Sequence, residues 1–158
     1  MYDNINLTHA TNLPLKMSWV TRFTGQISDS NLLPSEQLGA GGVYSVRGYD
    51  ERTANGDNGF LISEELYSPS FDLSKILIKG GIRDQTQVLG FWDYGDVSIN
   101  HPSPGQQSTM KLESVGVGLR YGLQGYITAR LDYGWQLLKS PGASTLGEFG
   151  HVSITLAY

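Results

Sequence analysis

Two short segments carry the residues best suited to chemistry in this chain. The tetrapeptide VRGY at 46–49 supplies a cation, Arg47, and the pentapeptide FWDYG at 91–95 supplies an anion, Asp93. A guanidinium stays charged and can contact a carboxylate through two parallel hydrogen bonds, which are strongest where water is excluded. The chemistry that these residues predict is therefore an ion pair between a loop and a strand.

Each partner also has a plainer interpretation. Arg47 can be a solvated loop cation, and Asp93 a turn residue at the end of a strand, since DYGD at 93–96 is turn-like. If the segment is a strand, Phe91, Asp93 and Gly95 share one face, opposite the two intervening aromatic residues. An ionised aspartate on a strand in a membrane must then point away from lipid.

The composition limits the other functions that the chain can have. It has 158 residues, enough for one domain, with 39% hydrophobic residues, 20 glycines and no cysteine. The net charge of −4, with Lys and Arg scattered singly, predicts no nucleic-acid partner. No apolar run is long enough for a transmembrane helix, and the absence of cysteine removes disulfides and thiolate sites.

Signals for catalysis or cofactors are weak. The three histidines, His9, His101 and His151, lie on different predicted elements without the spacing of metal ligands. Neither a nucleophile elbow nor a phosphate-binding loop occurs. We therefore expect no metal, no cofactor, no catalytic residue and no enzymatic activity.

The elements that must position the two motifs are strands, because apolar and polar residues alternate with a period of two. In the segment 125–137, for example, Leu131 and Tyr133 share an apolar face, whereas Arg130 and Asp132 share a polar one. Strands of about ten residues suit a tilted bilayer span, since globular strands average about five to six. The predicted strands are 16–28, 59–67, 86–97, 114–123, 125–137 and 151–158, with the end of a seventh at 5–10.

Loop lengths favour a membrane barrel over a soluble β-sandwich, which remains the alternative. Barrels alternate short periplasmic turns with longer extracellular loops, and four of five connections follow this rule, the longest being 28–58. The exception is 68–85, which is long and whose Ile76-Leu77-Ile78 run predicts an extra β extension.

Glu64 shares a face with lipid-facing residues, so it lies near an interface or its register differs.

The segment 33–49, which ends in VRGY, and the downstream FWDYG together resemble the TpsB-type two-partner secretion transporters, the haemolysin and haemagglutinin activator proteins. The resemblance implies an all-β fold, an antiparallel transmembrane β-barrel of which residues 1–158 form the C-terminal six or seven of sixteen strands. It implies the outer membrane of a Gram-negative bacterium. The implied partners are a large secreted exoprotein of the TpsA type, outer-membrane lipid and the barrel assembly machinery.

The resemblance also implies roles for individual residues. Such a transporter passes an unfolded exoprotein through its lumen without ATP, and the loop 28–58 folds back into that lumen. The loop motif comprises Val46, Arg47, Gly48 and Tyr49, and the motif of the barrel wall comprises Phe91, Asp93 and Gly95. Glu65, predicted to point inward, either joins this polar network or is a solvated wall residue. The final strand resembles an outer-membrane insertion signal or is an ordinary strand; its residues are Val152, Ile154, Leu156 and Tyr158.

Several features of the family pattern are missing from the chain. No signal peptide, periplasmic POTRA domain, plug helix or earlier strand is recognisable, so we expect a fragment, whose open edges would be costly in lipid. Two alternative functions remain: a barrel of the same superfamily that inserts other outer-membrane proteins, and a soluble β-sandwich binding module. An outer-membrane lipase is a third, without a Ser-His pair to support it.

Overall fold

The chain forms one seven-stranded antiparallel sheet and a two-stranded hairpin in its longest loop. The structure is a computed structural model that describes residues 1–77 and 84–157. The sheet order is β1-β2-β5-β6-β7-β8-β9, so every strand pairs with its neighbours along the chain once the hairpin β3-β4 is set aside. The strands are β1 Tyr2–Asn12, β2 Ser18–Ser28, β3 Leu38–Ala40, β4 Ala54–Gly56, β5 Asn58–Tyr67, β6 Asp84–Ser98, β7 Thr109–Leu123, β8 Ile127–Gln136 and β9 Glu148–Leu156.

All seven strands predicted from the alternation are present, and the all-β antiparallel class is confirmed. The main differences are in length, since β6 and β7 each have 15 residues and pair along their whole extent from Asp84 opposite Leu123 to Ser98 opposite Thr109. The connection β7-β8 is tight and those before β5, before β7 and before β9 are long, as expected from the turn and loop residues.

The two faces of the sheet are chemically opposite. On the face that packs against the loop 29–57, here called the inward face, Asp93 and Leu112 are fully buried and Asp132 is 3% exposed. On the outward face, apolar side chains remain exposed, for example Val117 at 49% and Leu131 at 41%. This is the reverse of a soluble sheet and is the pattern of a barrel wall with lipid outside and a polar interior.

Glu64 lies on the outward face, in the predicted register. It is opposite Thr21 on β2 and Trp92 on β6. Its carboxylate accepts hydrogen bonds from the indole N–H of Trp19 at 2.5 Å and from the hydroxyl of Thr21 at 2.7 Å. These two hydrogen bonds partly satisfy the Glu64 carboxylate, which has no other polar partner on this face among the described residues.

The loop between β2 and β5 folds onto the inward face and supplies much of the core. Leu38–Ala40 and Ala54–Gly56 pair as a short antiparallel hairpin, and between them the VRGY segment lies against the sheet. The buried core is made of loop residues together with residues of β6 and β7: Ala40, Val46, Tyr49, Ala54, Val97 and Leu112.

The connection between β5 and β6 differs from the prediction. Residues Leu73–Leu77 form a short α-helix, α1, where an extra β extension was expected, and Ile78 lies outside the described residues. The carboxylate of Asp84 accepts hydrogen bonds from the backbone N–H groups of Leu73 and Ser74, so a tertiary contact stabilises the start of the helix. Over 1–77 and 84–157, helices fall short of the length and hydropathy needed to cross a membrane.

Candidate functional site

Arg47 and Asp93, the two residues paired in the sequence, are in direct contact. The guanidinium donates from Nε to Asp93 Oδ2 at 2.7 Å and from Nη2 to Asp93 Oδ1 at 2.7 Å, which is a bidentate ion pair. The backbone N–H of Arg47 donates to the same carboxylate at 3.0 Å. Both side chains are almost inaccessible to water, with Arg47 at 2% and Asp93 at 0% exposure.

The remaining nitrogen of Arg47 and the face of its guanidinium are also occupied. Nη1 donates to Glu65 Oε1 at 2.6 Å, and Nη2 also donates to the hydroxyl of Ser63 at 3.1 Å. The central carbon of the guanidinium lies 3.6 Å from the centre of the Phe91 ring, in a cation–π contact. A lysine could reproduce neither the planar stacking nor the fork of donors.

The charge of Arg47 is held firmly in this site. Burial alone would lower the pKa of the guanidinium, but the hydrogen bonds and negative charge of Asp93, with further negative charge from Glu65 and Asp132, outweigh it and raise the pKa above its ordinary value. The guanidinium of Arg47 therefore keeps its positive charge although it is buried.

Glycines allow the backbone of the loop to approach the sheet. Gly48 has a φ of +91°, in the left-handed region, and a Cβ on Gly134 of β8 would lie 2.7 Å from the Gly48 nitrogen. A Cβ on Gly95 would lie 3.0 Å from a methyl group of Val46. At Gly95 and Gly134, therefore, loop atoms occupy the space that a side chain on the strand would need.

Tyr49 fixes the other end of the loop motif. Its side chain is 1% exposed, and its hydroxyl lies 2.6 Å from the carbonyl oxygen of Leu138 and 2.8 Å from that of Glu113. The hydroxyl also accepts from the N–H of Glu113 at 3.2 Å. Burial raises the pKa of the Tyr49 phenol, so the hydroxyl remains a donor at neutral pH.

Sequence comparison with known protein families identifies the group of proteins to which this chain is related. Residues 2–121 match the family described as haemolysin secretion/activation protein ShlB/FhaC/HecB. The chain belongs to this family.

Two kinds of curated relatives share detectable similarity with this ShlB/FhaC/HecB family member. The heme/hemopexin transporter protein HuxB of Haemophilus influenzae strain 86-028NP is 31% identical over 122 residues, which cover 75% of this chain and 20% of the relative. The outer membrane transporter CdiB of Escherichia coli strain 536 is 36% identical over 78 residues, covering 49% of this chain and 13% of that protein. The chain thus spans about a fifth of the length of HuxB.

Family membership identifies the antiparallel sheet as part of an outer-membrane β-barrel of a Gram-negative bacterium. The exposed apolar residues of the outward face are in keeping with a barrel of this kind. The polar residues of the inward face then lie on the inner side of the barrel wall.

The site in this family member includes charged residues that were not identified from the sequence. Asp132 accepts from Arg130 Nε at 2.5 Å and from Arg120 Nη2 at 2.9 Å, and its carboxylate lies 3.5 Å from Nη1 of Arg47. Arg22 of β2 pairs with Glu65. Four guanidiniums thus share three carboxylates, linking β2, β5, β6, β7 and β8 to the loop.

The alternation in 125–137 places Arg130 and Asp132 on a polar face, and the same period of two in 16–28 and 114–123 places Arg22 and Arg120 on the polar faces of those strands. Only the register could show that they converge on Arg47. Gln136, whose side chain donates to the carbonyl of Gly48 at 2.8 Å, was missed for the same reason. Glu65 forms ion pairs with Arg47 and Arg22, and its role in a lumen network stays a prediction.

The predicted insertion signal lies apart from the ion-pair network. Val152, Ile154 and Leu156 alternate on β9 with exposures of 69%, 65% and 70%, and Tyr158 lies outside the described residues. Their side chains share the outward face with Leu131, which is opposite Val152. A role of these residues in membrane insertion remains a prediction.

Proposed function

We propose that this chain is the C-terminal barrel part of an outer-membrane translocator that exports a large, unfolded partner exoprotein through its lumen without ATP. The coarser statement, that the family consists of secretion proteins, follows from the family match. The transport activities named for HuxB and CdiB are in keeping with this proposal.

The observation that carries the proposal is the buried bidentate contact between Arg47 and Asp93. It fastens the tip of a loop of about 30 residues to the polar side of a membrane strand, where a channel for polypeptide would run. In the proposed mechanism, the loop 28–58 lies within the lumen, and the pair sets its position, and hence the shape of the passage.

The other two proposed partners, lipid and the barrel assembly machinery, would contact the outward face of the sheet. The apolar outward face would contact outer-membrane lipid, and the residues Val152, Ile154 and Leu156 of β9, with Tyr158 after them in the sequence, would present the insertion signal to the barrel assembly machinery. No catalytic residue is assigned, since transport of this kind needs positioning and not bond chemistry.

The test uses the full-length transporter with its upstream coding sequence and its partner exoprotein. The backbone nitrogen of Arg47 lies 3.0 Å from the Asp93 carboxylate, so cysteines at both positions would face each other across a short gap, and disulfide formation reports on that approach. We expect Arg47→Cys with Asp93→Cys to cross-link in outer membranes, and Arg47→Cys with Asp96→Cys not to, because Asp96 lies on the outward face.

Secretion of the exoprotein supplies the functional half of the test. We expect Arg47→Ala to reduce secretion at least tenfold at equal transporter levels in the membrane, and Arg47→Lys to restore only part of it. Unchanged secretion by Arg47→Ala would overturn the proposal, as would a properly inserted double-cysteine protein that never cross-links.

A further inference from the structure

We infer that Tyr44, at the tip of the loop, together with Arg130 and Arg22, is a contact site for the extended polypeptide in transit. This inference rests on the proposed function and names the part of the lumen that touches the substrate. Tyr44 is 88% exposed, the highest exposure among the aromatic residues that the structure describes.

The backbone that carries Tyr44 is held rigidly on both sides. The carbonyl of Val43 accepts from Arg130 Nη2 at 2.9 Å, and the N–H of Val43 donates to Glu51 at 2.9 Å. The hydroxyl of Ser45 donates to the carbonyl of Gly41 at 2.8 Å, and the buried Arg47 follows two residues later. The Tyr44 side chain thus projects from a backbone that is already ordered. Binding a partner therefore costs little additional backbone entropy.

The direction of this side chain distinguishes it from other exposed apolar residues. Single apolar side chains on a protein surface are ordinary, and on the outward face they contact lipid. Tyr44 instead projects on the inward side, where the centre of its ring lies 5.8 Å from the guanidinium carbon of Arg130. It borders a cavity of about 120 Å³ that is also lined by Arg22, Arg130 and Glu65.

The chemistry of this site matches an unfolded polypeptide. A tyrosine ring can stack on aromatic side chains and on peptide planes of any sequence, and tyrosine and arginine are among the residues enriched at binding hot spots. Arg22 is 47% exposed and Arg130 is 26% exposed, so each has donors available for backbone carbonyls or carboxylates. Four guanidiniums share three carboxylates in the network, and Glu51 beside Val43 adds a fourth carboxylate, so the site is close to neutral and should bind segments of varied charge.

Photo-cross-linking tests the contact directly. The full-length transporter would carry p-benzoylphenylalanine at position 44, and the partner exoprotein used in the secretion test would be stalled by a fused, tightly folded domain. We expect an adduct between position 44 and the exoprotein, and none from position 126, where Tyr126 is 61% exposed in the β7-β8 turn. Adducts only with the transporter's own wall would overturn the inference.

Secretion rates give a second, independent measurement. We expect Tyr44→Ala to slow secretion about three- to tenfold and Tyr44→Phe to keep it near wild type, while the cross-link between cysteines at 47 and 93 still forms. Normal secretion by Tyr44→Ala would overturn the inference even if Arg47→Ala blocks export. If Arg47→Ala has no effect either, the proposed function itself fails.

Discussion

The inward and outward faces of the same sheet treat charge in opposite ways. Inward, Asp93, Glu65 and Arg47 are at most 2% exposed. Asp93 accepts three hydrogen bonds from Arg47, and Glu65 accepts from Arg47, Arg22 and Tyr67.

Outward, Asp96 and Lys111 form one simple pair, 3.2 Å apart, with Lys111 54% exposed. Charges are thus clustered and paired with one another where the loop meets the wall, whereas on the outward face the Glu64 carboxylate accepts from the neutral donors Trp19 and Thr21.

This difference shows which contacts hold the loop. A buried ion pair contributes little net stability compared with apolar packing, but removing one partner leaves the other charge buried and unpaired. Its value is therefore geometric, because the loop tip has one position in which all three nitrogens of Arg47 find oxygen partners. An exposed pair such as Asp96 with Lys111 has no such consequence.

Removal of the Asp93 carboxylate should have the largest effect. We expect Asp93→Ala to lower the free energy of unfolding by about 3–5 kcal/mol, because Arg47 loses its bidentate partner while buried. Urea unfolding of the full-length transporter in lipid vesicles measures this. Asp96→Ala, on the outward face of the same strand, is the control and should change stability by about 0–1 kcal/mol. Equal losses from the two variants would erase the distinction between the faces.

A charge introduced on the outward face should have the next largest effect. Leu131→Arg puts a cation among lipid-facing residues, and we expect a loss of about 2–4 kcal/mol if the position is near the bilayer centre. Thr128→Arg, on the inward face of the same strand, is the control and should fold nearly as well as wild type. The measurement is the same unfolding in vesicles, and comparable losses would mean that the faces are assigned wrongly.

The strands and their two faces were predictable because alternation is a local property of the chain. A residue such as Asp132 is marked as inward by its neighbours alone. The contact between Arg47 and Asp93 was predictable for another reason, the resemblance of the two motifs to a known family. Neither signal contains the cross-strand register, so the convergence of Arg22, Arg120 and Asp132 on Arg47 could not be read from the sequence.

Helix α1 shows where local pattern is misleading. The run Ile76-Leu77-Ile78 is rich in β-branched residues and predicts a strand. Residues Leu73–Leu77 are helical, and Asp84, which is seven residues beyond the end of the helix, accepts the N–H groups at its start. A cap supplied from the following strand is a tertiary contact, which outweighs intrinsic propensity in so short a segment.

The close approach of the loop to β8 offers a smaller perturbation of the inward face. A Cβ at Gly134 would lie 2.7 Å from the nitrogen of Gly48, so we expect Gly134→Ala to cost about 1–3 kcal/mol. The same variant should reduce the cross-linking of cysteines at 47 and 93. Gly90→Ala is the control, because a Cβ there would meet only one atom, 4.0 Å away. Full cross-linking by Gly134→Ala would show that the loop adapts without the glycine.

Protonation of Asp57 should loosen the base of the loop without releasing its tip. The buried carboxylate of Asp57 accepts from the N–H of Leu32 at 2.8 Å, from the side chain of Gln37 at 3.0 Å and from the N–H of Asn100 at 2.9 Å. Burial by itself would raise the pKa of this carboxyl, but these donors outweigh it and hold the pKa below its ordinary value of 3.8.

Because the folded protein favours the ionised form of Asp57, its stabilising contribution is complete above pH 3.8 and is lost as the pH falls through the lower, folded pKa. We expect hydrogen-exchange protection of the Leu32 and Asn100 amides, corrected for intrinsic rates, to be constant from pH 7 to 4 and to fall below that range. Asp57→Asn should show weaker protection with no such step. If protection increased on acidification, the folded protein would favour the neutral form of Asp57. An ionised carboxylate would then hold the tip of the loop, at Asp93, but not its base.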